Sequence, residues 1–473
     1  MASRILNLSL NFYKTDYTLL LFKSITYPDT FCVNTVIKSY ALFNLPSYGV
    51  GFYFEMLRDD GVYFRPNCFS FPGLISACGR ARELGLGRVC HGHVVKYGVG
   101  GSLFVENSLV YMYGGCGMSG DAWSVFGGMC VRDMVSWNSM VDGYVKVGDL
   151  GRAHRVFDEM DERNVVSWNV LMTGYLDGGC PGNVLKLFRE MVGEGGRGND
   201  TSVVSVVTAC GRSCRLKEGR SVHGYVVRML AGVSLIIGTA LIDMYSRCGR
   251  PDVAGVIFGG MLIKNLVCWN AMIAGHSIHG NPKNGLELFD KMLKVGDLIP
   301  DEVTYVGVLC ASARLGLLTE GKNHFLHMTE VFNVKPNFAH YWCMANLFAN
   351  QGLVNEAVEL LKNMQIDVNM SQQSSLWAGL LGSCRFKGDV VLGEQIAKAL
   401  IEDDPLNHSY HVLLLIIYAV AGRWDDASRM KCTMKERGIS VPGFSLLELM
   451  EIVNSLDVGD KLKDSIYGLH ENG

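Results

Sequence analysis

An asparagine recurs at one place in a phrase that the chain repeats. The three copies are MVSWNSMVDGY (134–144), VVSWNVLMTGY (165–175) and LVCWNAMIAGH (266–276). Asparagine is a poor helix former, so packing alone gives no reason for Asn138, Asn169 and Asn270. A side-chain amide carries both hydrogen-bond donors and an acceptor. The recurring asparagine therefore needs an explanation beyond packing.

A second role is open for these asparagines. An Asn near a helix start can accept a hydrogen bond from an unpaired backbone N–H and act as an N-cap. Thr239, at the same position in its own repeat, would serve equally well as an N-cap. A cap does not explain why each unit also ends in Asn or Asp, although such residues favour a turn before a helix.

Histidine and cysteine do not form a recognisable metal site in the sequence. The histidine pairs are His91/His93, His276/His279, His324/His327 and His408/His411. No C-x-x-C or H-x-E sequence accompanies them, so ordinary surface or core histidines are expected. Neither a Gly-rich phosphate loop nor a Ser/His/Asp constellation stands out. We expect no catalytic residue, metal or cofactor, and a protein that is not an enzyme.

Composition narrows the class of protein. The net charge is -3 with 19% charged residues, so the overall balance makes no electrostatic case for a polyanionic partner. The fifteen cysteines lack disulfide-framework or C-x-x-C spacing, which indicates reduced thiols. The longest apolar run, VLLLIIYAVA (412–421), is half the roughly 20 residues that a membrane-spanning helix needs. No membrane or small-molecule partner is expected.

The chain repeats in units of 31 to 36 residues. The steps from Asn107 to Asn138 and on to Asn169 are both 31 residues. ISACGR (75–80) returns 132 residues later as VTACGR (207–212), and GRVCHGHVV (87–95) returns as GRSVHGYVV (219–227) in the same register. A block of four units therefore recurs whole. Periods of this length favour a solenoid, in which each unit buries its apolar face only against its neighbours.

Each unit reads as two helices with a short turn between them. The second helix carries Phe-x-x-Met, as in Phe157 and Met160, with an alanine four residues before the Phe. Alanines at this spacing, Ala122, Ala153 and Ala254, lie on the same helical face as the aromatic ring. Trp137, Trp168 and Trp269 are predicted to be core residues. We expect an all-α solenoid, a right-handed superhelix of helix-turn-helix repeats.

These phrases resemble the pentatricopeptide repeat family, in the plant class that alternates P, L and S motifs. The resemblance rests on VSWN…GY…F-x-E-M, ACGR…GR..HG and LIDMYSRCG, and it begins near Thr30. LWAGLLGSCRFKGDVVLGEQIAKALIEDDPLN (376–407) and YAVAGRWDDASRMKCTMKERGISVPGFS (418–445) are similar to the family's E motifs. Neither half of the H-x-E plus P-C-x-x-C deaminase signature is present, so the terminal DYW deaminase domain is expected to be missing.

The resemblance implies an RNA-binding surface that reads one base per repeat. The fifth residue of the first helix and the last residue of the unit would form a reading pair. The pairs are Asn34/Asn67, Asn107/Asp133, Asn138/Asn164, Asn169/Asn199, Thr239/Asn265 and Asn270/Asp301. The family's pairing implies uracil for Asn/Asp, cytosine or uracil for Asn/Asn, and adenine for Thr/Asn.

The second residue of each unit would sandwich the base. These residues are Phe31, Phe104, Val135, Val166, Ile236 and Val267. The L-type units place Pro72, Val204 and Val306 at the fifth position and should tolerate any base. Trp342 occupies that position in the last S-type unit, where its bulk puts base reading in question.

The resemblance divides the chain into four segments. Residues 1–29 are either a transit peptide or an incomplete repeat, 30–369 the repeat array, 370–443 E motifs resembling tetratricopeptide hairpins, and 444–473 an E+-like tail. It implies site recognition of single-stranded organellar RNA for C-to-U editing, with a DYW-type deaminase or other editing factor recruited through the E and E+ segments. Transcript stabilisation or splicing, and a protein-binding scaffold, are alternatives. The expected location is the mitochondrion, with the chloroplast as alternative.

Overall fold

A computed structural model describes residues 15–59, 62–229, 233–296, 298–353 and 423–437, together with single positions between 356 and 418. All regular structure in these residues is helical. None of the helices in the described ranges is long and apolar enough to cross a membrane. The expected tail at 444–473, the first 14 residues and most of the expected E-motif segment lie outside the described residues.

The helices alternate as first and second helices of successive hairpins. The first helices are Thr30–Leu42, Phe71–Ala81, Leu103–Gly115, Met134–Lys146, Val165–Asp177, Asp200–Arg212, Leu235–Arg247, Leu266–Ala274, Glu302–Leu315 and Phe338–Asn350. The second helices are Pro46–Met56, Leu84–Lys96, Ser119–Gly128, Leu150–Asp158, Pro181–Gly193, Leu216–Met229, Pro251–Gly260, Pro282–Val295 and Leu318–Leu326. Thr15–Lys23 precedes the array and Trp424–Glu436 follows it. Short π-helical turns follow two of the helices, at Gly275–His279 and His327–Val331.

The chain divides into two compact units, Met1–Ser202 and Val203–Gly473. In the first unit, adjacent first helices approach closely at glycines. A methyl group placed on Gly114 would lie 2.7 Å from the Cα of Gly143. In the second unit, a methyl group on Gly211 would lie 3.1 Å from the Cα of Met244. Each unit is a stack of helical hairpins, which confirms the all-α solenoid expected from the repeat period.

The core between hairpins is built from the recurring aromatic residues. Each tryptophan of the repeated phrase packs edge to face on the phenylalanine of the preceding second helix. The ring-centroid distances are 5.0 Å for Phe126–Trp137, 4.8 Å for Phe157–Trp168 and 4.9 Å for Phe258–Trp269. The predicted small residues Ala122, Ala153 and Ala254 are fully buried. The prediction that the tryptophans belong to the core is confirmed for Trp168 and Trp269, whereas Trp137 is half-buried. Rings in this arrangement attract each other beyond area burial alone.

In three of these hairpins, a basic residue donates to backbone carbonyls at the end of the second helix: Arg132, Arg163 and Lys264. Arg132 donates from Nε and Nη2 to the carbonyls of Phe126 and Gly127 and lies over the Phe126 ring. Arg163 does the same at Phe157 and Asp158. Such residues satisfy carbonyls that a helix leaves unpaired at its C-terminus. The residue after each arginine, Asp133 or Asn164, is the last residue of its unit and the N-cap of the next first helix.

Candidate functional site

Four of the six predicted reading pairs are joined by a side-chain hydrogen bond. In each, Nδ2 of the fifth-position asparagine donates to Oδ1 of the last residue of the unit. The distances are 3.2 Å for Asn34–Asn67, 3.1 Å for Asn107–Asp133, 3.0 Å for Asn169–Asn199 and 2.9 Å for Asn270–Asp301. Residues 26 to 33 positions apart are thus brought together by the stacking of one hairpin on the next.

The other two pairs have no direct hydrogen bond between their members in the described part of the chain. In the Asn138/Asn164 pair, Oδ1 of Asn138 is buried without a partner among the described residues. In the Thr239/Asn265 pair, the Thr239 hydroxyl donates to the carbonyl of Leu235 at 2.8 Å and lies 3.0 Å from the Cys268 sulfur. Within each of these two pairs, the fifth-position side chain is therefore not held by the last residue of the unit.

The N-cap alternative is wrong for the fifth-position residues. In four of the six pairs the last residue of the unit is the N-cap of the next helix instead: Asp133, Asn164, Asn265 and Asp301. Asn107 and Asn270 lie in the second turn of their helices, beyond the unpaired N–H groups. Asp133 accepts from the N–H of Ser136 at 2.9 Å, and Asp301 accepts from the N–H of Thr304 at 2.9 Å. Asn164 and Asn265 cap their helices in the same way. In Asp133 and Asp301, the same side chain therefore caps the next helix and accepts a hydrogen bond from the fifth-position asparagine of its own unit.

A hydroxyl that the sequence reasoning missed completes three of the pairs. The third residue of the next repeat donates to Oδ1 of the fifth-position asparagine at 2.6 Å in every case. The bonds are Ser136 to Asn107, Ser202 to Asn169 and Thr304 to Asn270. All three hydroxyl residues are completely buried. For Ser136 the signal was present as the serine of VSWN, but its partner lies in the previous repeat; Ser202 and Thr304 hold the same third position in units that lack this phrase.

The predicted base-sandwiching residues are all apolar and exposed. Their exposed fractions range from 50 to 66%, for Phe31, Phe104, Val135, Val166, Ile236 and Val267. Phe69 and Val303 hold the same second position in L-type units and are 70 and 40% exposed. Both were missed because those units lack a polar fifth residue. Counting two residues beyond Asn67 and Asp301 would have found them.

Hydrogen bonding keeps the carboxylate of Asp133 ionised. Burial by itself would raise the pKa of Asp133, but hydrogen bonds from Ser136 and Asn107 outweigh it and hold the pKa below its ordinary value. These donors converge on Oδ1, and no bond to Oδ2 occurs among the described residues. Near neutral pH the group is an acceptor only.

The hydrogen-bond donors and acceptors that are left for a ligand differ between the pairs. In Asn107/Asp133, one N–H of the Asn107 amide and Oδ2 of Asp133 remain, a donor beside an acceptor. In Asn169/Asn199, both amide oxygens already accept hydrogen bonds and one N–H of Asn169 is bonded, so the groups without a bond among the described residues are N–H donors. A planar ligand with a polar edge fits such a site, because its edge can bond the pair while its faces contact the apolar second residues.

The remaining fifth-position residues, which were predicted not to read a base, are half-buried or buried. Pro72 and Val204 are half-buried and Val306 is buried, so none offers a side-chain donor or acceptor. Trp342 is only 3% exposed, which removes its ring from the surface. Within the described residues, no group of His, Cys, Asp and Glu side chains is arranged to hold a metal ion.

Family models match parts of both the repeat array and the C-terminal segment. The model described as PPR repeat matches residues 135–165, 166–196, 239–266 and 343–367, and the PPR repeat family model matches 264–314. The model described as E motif matches residues 387–448. The expected units at Asn138, Asn169, Thr239 and Asn270 all fall within matched ranges.

Relatives and a solved structure agree with these matches. A pentatricopeptide repeat-containing protein of Arabidopsis thaliana is 45% identical over 467 residues, 98% of this chain and 87% of the relative. The chloroplastic Arabidopsis thaliana protein ELI1 is 40% identical over 95% of this chain and 70% of its own length. The crystal structure of the pentatricopeptide repeat protein PPR10 in complex with an 18-nt psaJ RNA element has a TM-score of 0.61 at 18% identity, covering 86% of this chain and 60% of that chain. With a relative 45% identical over 98% of this chain, and with family models for the repeat and for the E motif matching it, this chain belongs to the pentatricopeptide repeat family.

Proposed function

We propose that this protein binds single-stranded RNA and reads one base at each reading pair, with the 5′ end of the RNA toward the N-terminus. The observation that carries the proposal is the recurring hydrogen-bonded pair, flanked by an exposed apolar second residue. Flat bases can stack on such residues while the pair bonds their edges, and stacking tolerates every base. Specificity then comes from the pair.

The remaining donors and acceptors support particular bases. Uracil presents an N3–H donor beside carbonyl acceptors, which complements the Asp133 oxygen and the Asn107 N–H. The Asn270/Asp301 pair has the same arrangement. The donors of Asn199 suit the ring acceptor and carbonyl of cytosine. From the family's pairing, Thr239/Asn265 reads adenine, and the two remaining Asn/Asn pairs read pyrimidines.

The cellular role we propose is recognition of a C-to-U editing site in an organellar transcript. It is supported by the E-motif match at residues 387–448. A deaminase or another editing factor would be recruited through residues 370–473. The proposed location is the mitochondrion. The name of ELI1 gives the chloroplast as the alternative.

Binding is tested with RNAs that follow the proposed order: pyrimidine, any, uracil, pyrimidine, pyrimidine, any, adenine, uracil. Gel-shift titrations would compare this RNA with variants changed only at the adenine or at the final uracil. A clear affinity loss for each variant is expected, and equal affinity for all RNAs would reject base reading. A protein-binding scaffold predicts no salt-sensitive RNA binding at all.

The editing role is tested in a plant that lacks the protein. Comparison of organellar transcripts with and without it should reveal one or a few cytidines that lose conversion. Loss of transcript abundance or splicing, with every editing site intact, would favour a factor that acts by occupying its RNA. Both outcomes are compatible with the binding surface, so this experiment addresses only the cellular role.

A further inference from the structure

The buried hydroxyls divide the reading pairs into two kinds. Ser136, Ser202 and Thr304 each donate at 2.6 Å to the amide oxygen of the asparagine in the preceding repeat. We call these asparagines, Asn107, Asn169 and Asn270, the locked readers. Each locked amide has its oxygen bonded to a hydroxyl and one N–H bonded to the last residue of its unit.

The bonds fix which end of the locked amide faces which partner. In the Asn270/Asp301 pair, Oδ1 of Asp301 accepts from the N–H of Thr304 and cannot donate. The group that faces it must therefore be the Asn270 N–H. Rotating the amide by half a turn would place two oxygens against each other and would give up both side-chain bonds. The second N–H is thereby held in one direction.

Two asparagines with the same sequence context are not locked. The Ser167 hydroxyl lies 3.5 Å from the Met134 sulfur, and Oδ1 of Asn138 is buried with no hydrogen-bond partner among the described residues. The Ser70 hydroxyl bonds to Asn67 at 3.3 Å, and Oδ1 of Asn34 likewise has no partner in the described part of the chain. These amides have only one fixed contact or none, so rotation costs them less.

We infer that the third-residue hydroxyl is a positioning residue that sets how strictly each pair discriminates between bases. Locked readers present a fixed pattern of donors and acceptors, whereas Asn34 and Asn138 can rotate to suit either pyrimidine. Ser136, Ser202 and Thr304 are completely buried and cannot touch RNA themselves, so they act through the amide. The inference rests on the proposed function, because it specifies how base reading is achieved.

The central test is Thr304→Val, which keeps the shape of the side chain and removes the hydroxyl. The measured quantity is the ratio of the Kd values for RNAs carrying cytosine or uracil at the final reading position. Loss of one positioning hydrogen bond should reduce this ratio roughly 3- to 10-fold. Thr304→Ser retains the hydroxyl and should restore the ratio.

Ser167→Ala is the matched control. The Ser167 hydroxyl accepts from the N–H of Asn164 as Thr304 does from Asp301, but it has no bond to Asn138. Its removal should cost a similar amount of helix-cap stability and leave base discrimination unchanged.

An unchanged ratio in a folded Thr304→Val protein would overturn the inference. So would a uniform loss of affinity for all RNAs, since that result assigns the hydroxyl to the fold alone. If the wild-type protein itself does not distinguish the RNAs, the proposed function fails, and this is measured before any variant.

Discussion

The Tyr113 hydroxyl and Nδ1 of His91 are hydrogen-bonded at 2.8 Å, joining a second helix to the first helix of the next hairpin. The same contact recurs between His154 and Tyr175 at 3.1 Å. It recurs again between His223 and Tyr245 at 3.0 Å. Burial lowers the pKa of His91, partly opposed by Asp121, and burial also lowers the pKa of His223. The hairpin stack is therefore held together partly by neutral imidazoles.

Stability should fall on mild acidification. The folded-state pKa values of His91 and His223 lie below the unfolded value of about 6.5, so the unfolded chain binds more protons in this window. The unfolding free energy should be level above about pH 7 and decline as the pH falls below about 6.5. Thermal unfolding followed by circular dichroism from about pH 8 to pH 5.5 measures this. The double variant His91→Gln/His223→Gln should flatten the curve, and an unchanged slope would contradict the assignment.

Asp133→Asn should shift base preference from uracil toward cytosine at its own position. The change replaces the free acceptor with donors and keeps a good N-cap residue, as Asn164 demonstrates in the next repeat. The affinity for uracil should fall by roughly 3- to 10-fold relative to that for cytosine. Fluorescence anisotropy with the two RNAs measures the ratio. Asp161→Asn makes the same charge change at an exposed turn residue and should leave the ratio unaltered.

Phe104→Ala should weaken RNA binding without unfolding the protein. The side chain is 66% exposed, so its removal takes little from the core. Base stacking is worth about 1 to 3 kcal/mol, so Kd should rise by about 5- to 150-fold. Val166→Ala should have a smaller effect of the same kind. The control is Val256→Ala, since Val256 is 76% exposed on a second helix and is not predicted to contact a base. An equal effect of Val166→Ala and Val256→Ala would argue against base sandwiching.

Two glycine substitutions should have opposite effects on stability. An alanine methyl at Gly114 would lie 2.7 Å from backbone of Gly143, so the two first helices must separate. Overpacking of this kind costs about 1 to 3 kcal/mol. Gly92 is exposed in helix Leu84–Lys96 and has nothing within 4 Å of such a methyl, so Gly92→Ala should stabilise by about 0.5 to 1 kcal/mol. Urea unfolding measures both, and destabilisation by Gly92→Ala would show that the helix interior is already strained.

Sequence periodicity alone predicted the fold class. This was possible because stacked hairpins of nearly constant length place equivalent residues at equivalent places, as with the ring contact of Phe126 and Trp137. The two members of each reading pair, such as Asn107 and Asp133, and the exposed second residues followed from the resemblance to the pentatricopeptide repeat family and not from periodicity.

Only the tertiary structure decided how each pair is bonded. Ser136 and Ser167 stand in the same VSWN phrase, yet one hydroxyl bonds to Asn107 and the other lies against the Met134 sulfur. The choice depends on sub-ångström placement of one hairpin on its neighbour, and a hydrogen bond is lost over such distances. The sequence could also not separate capping from reading at an asparagine, since both use the same amide. Packing assigned the cap to Asp133 and the interior place to Asn138, because helices start where a side chain meets unpaired backbone N–H groups.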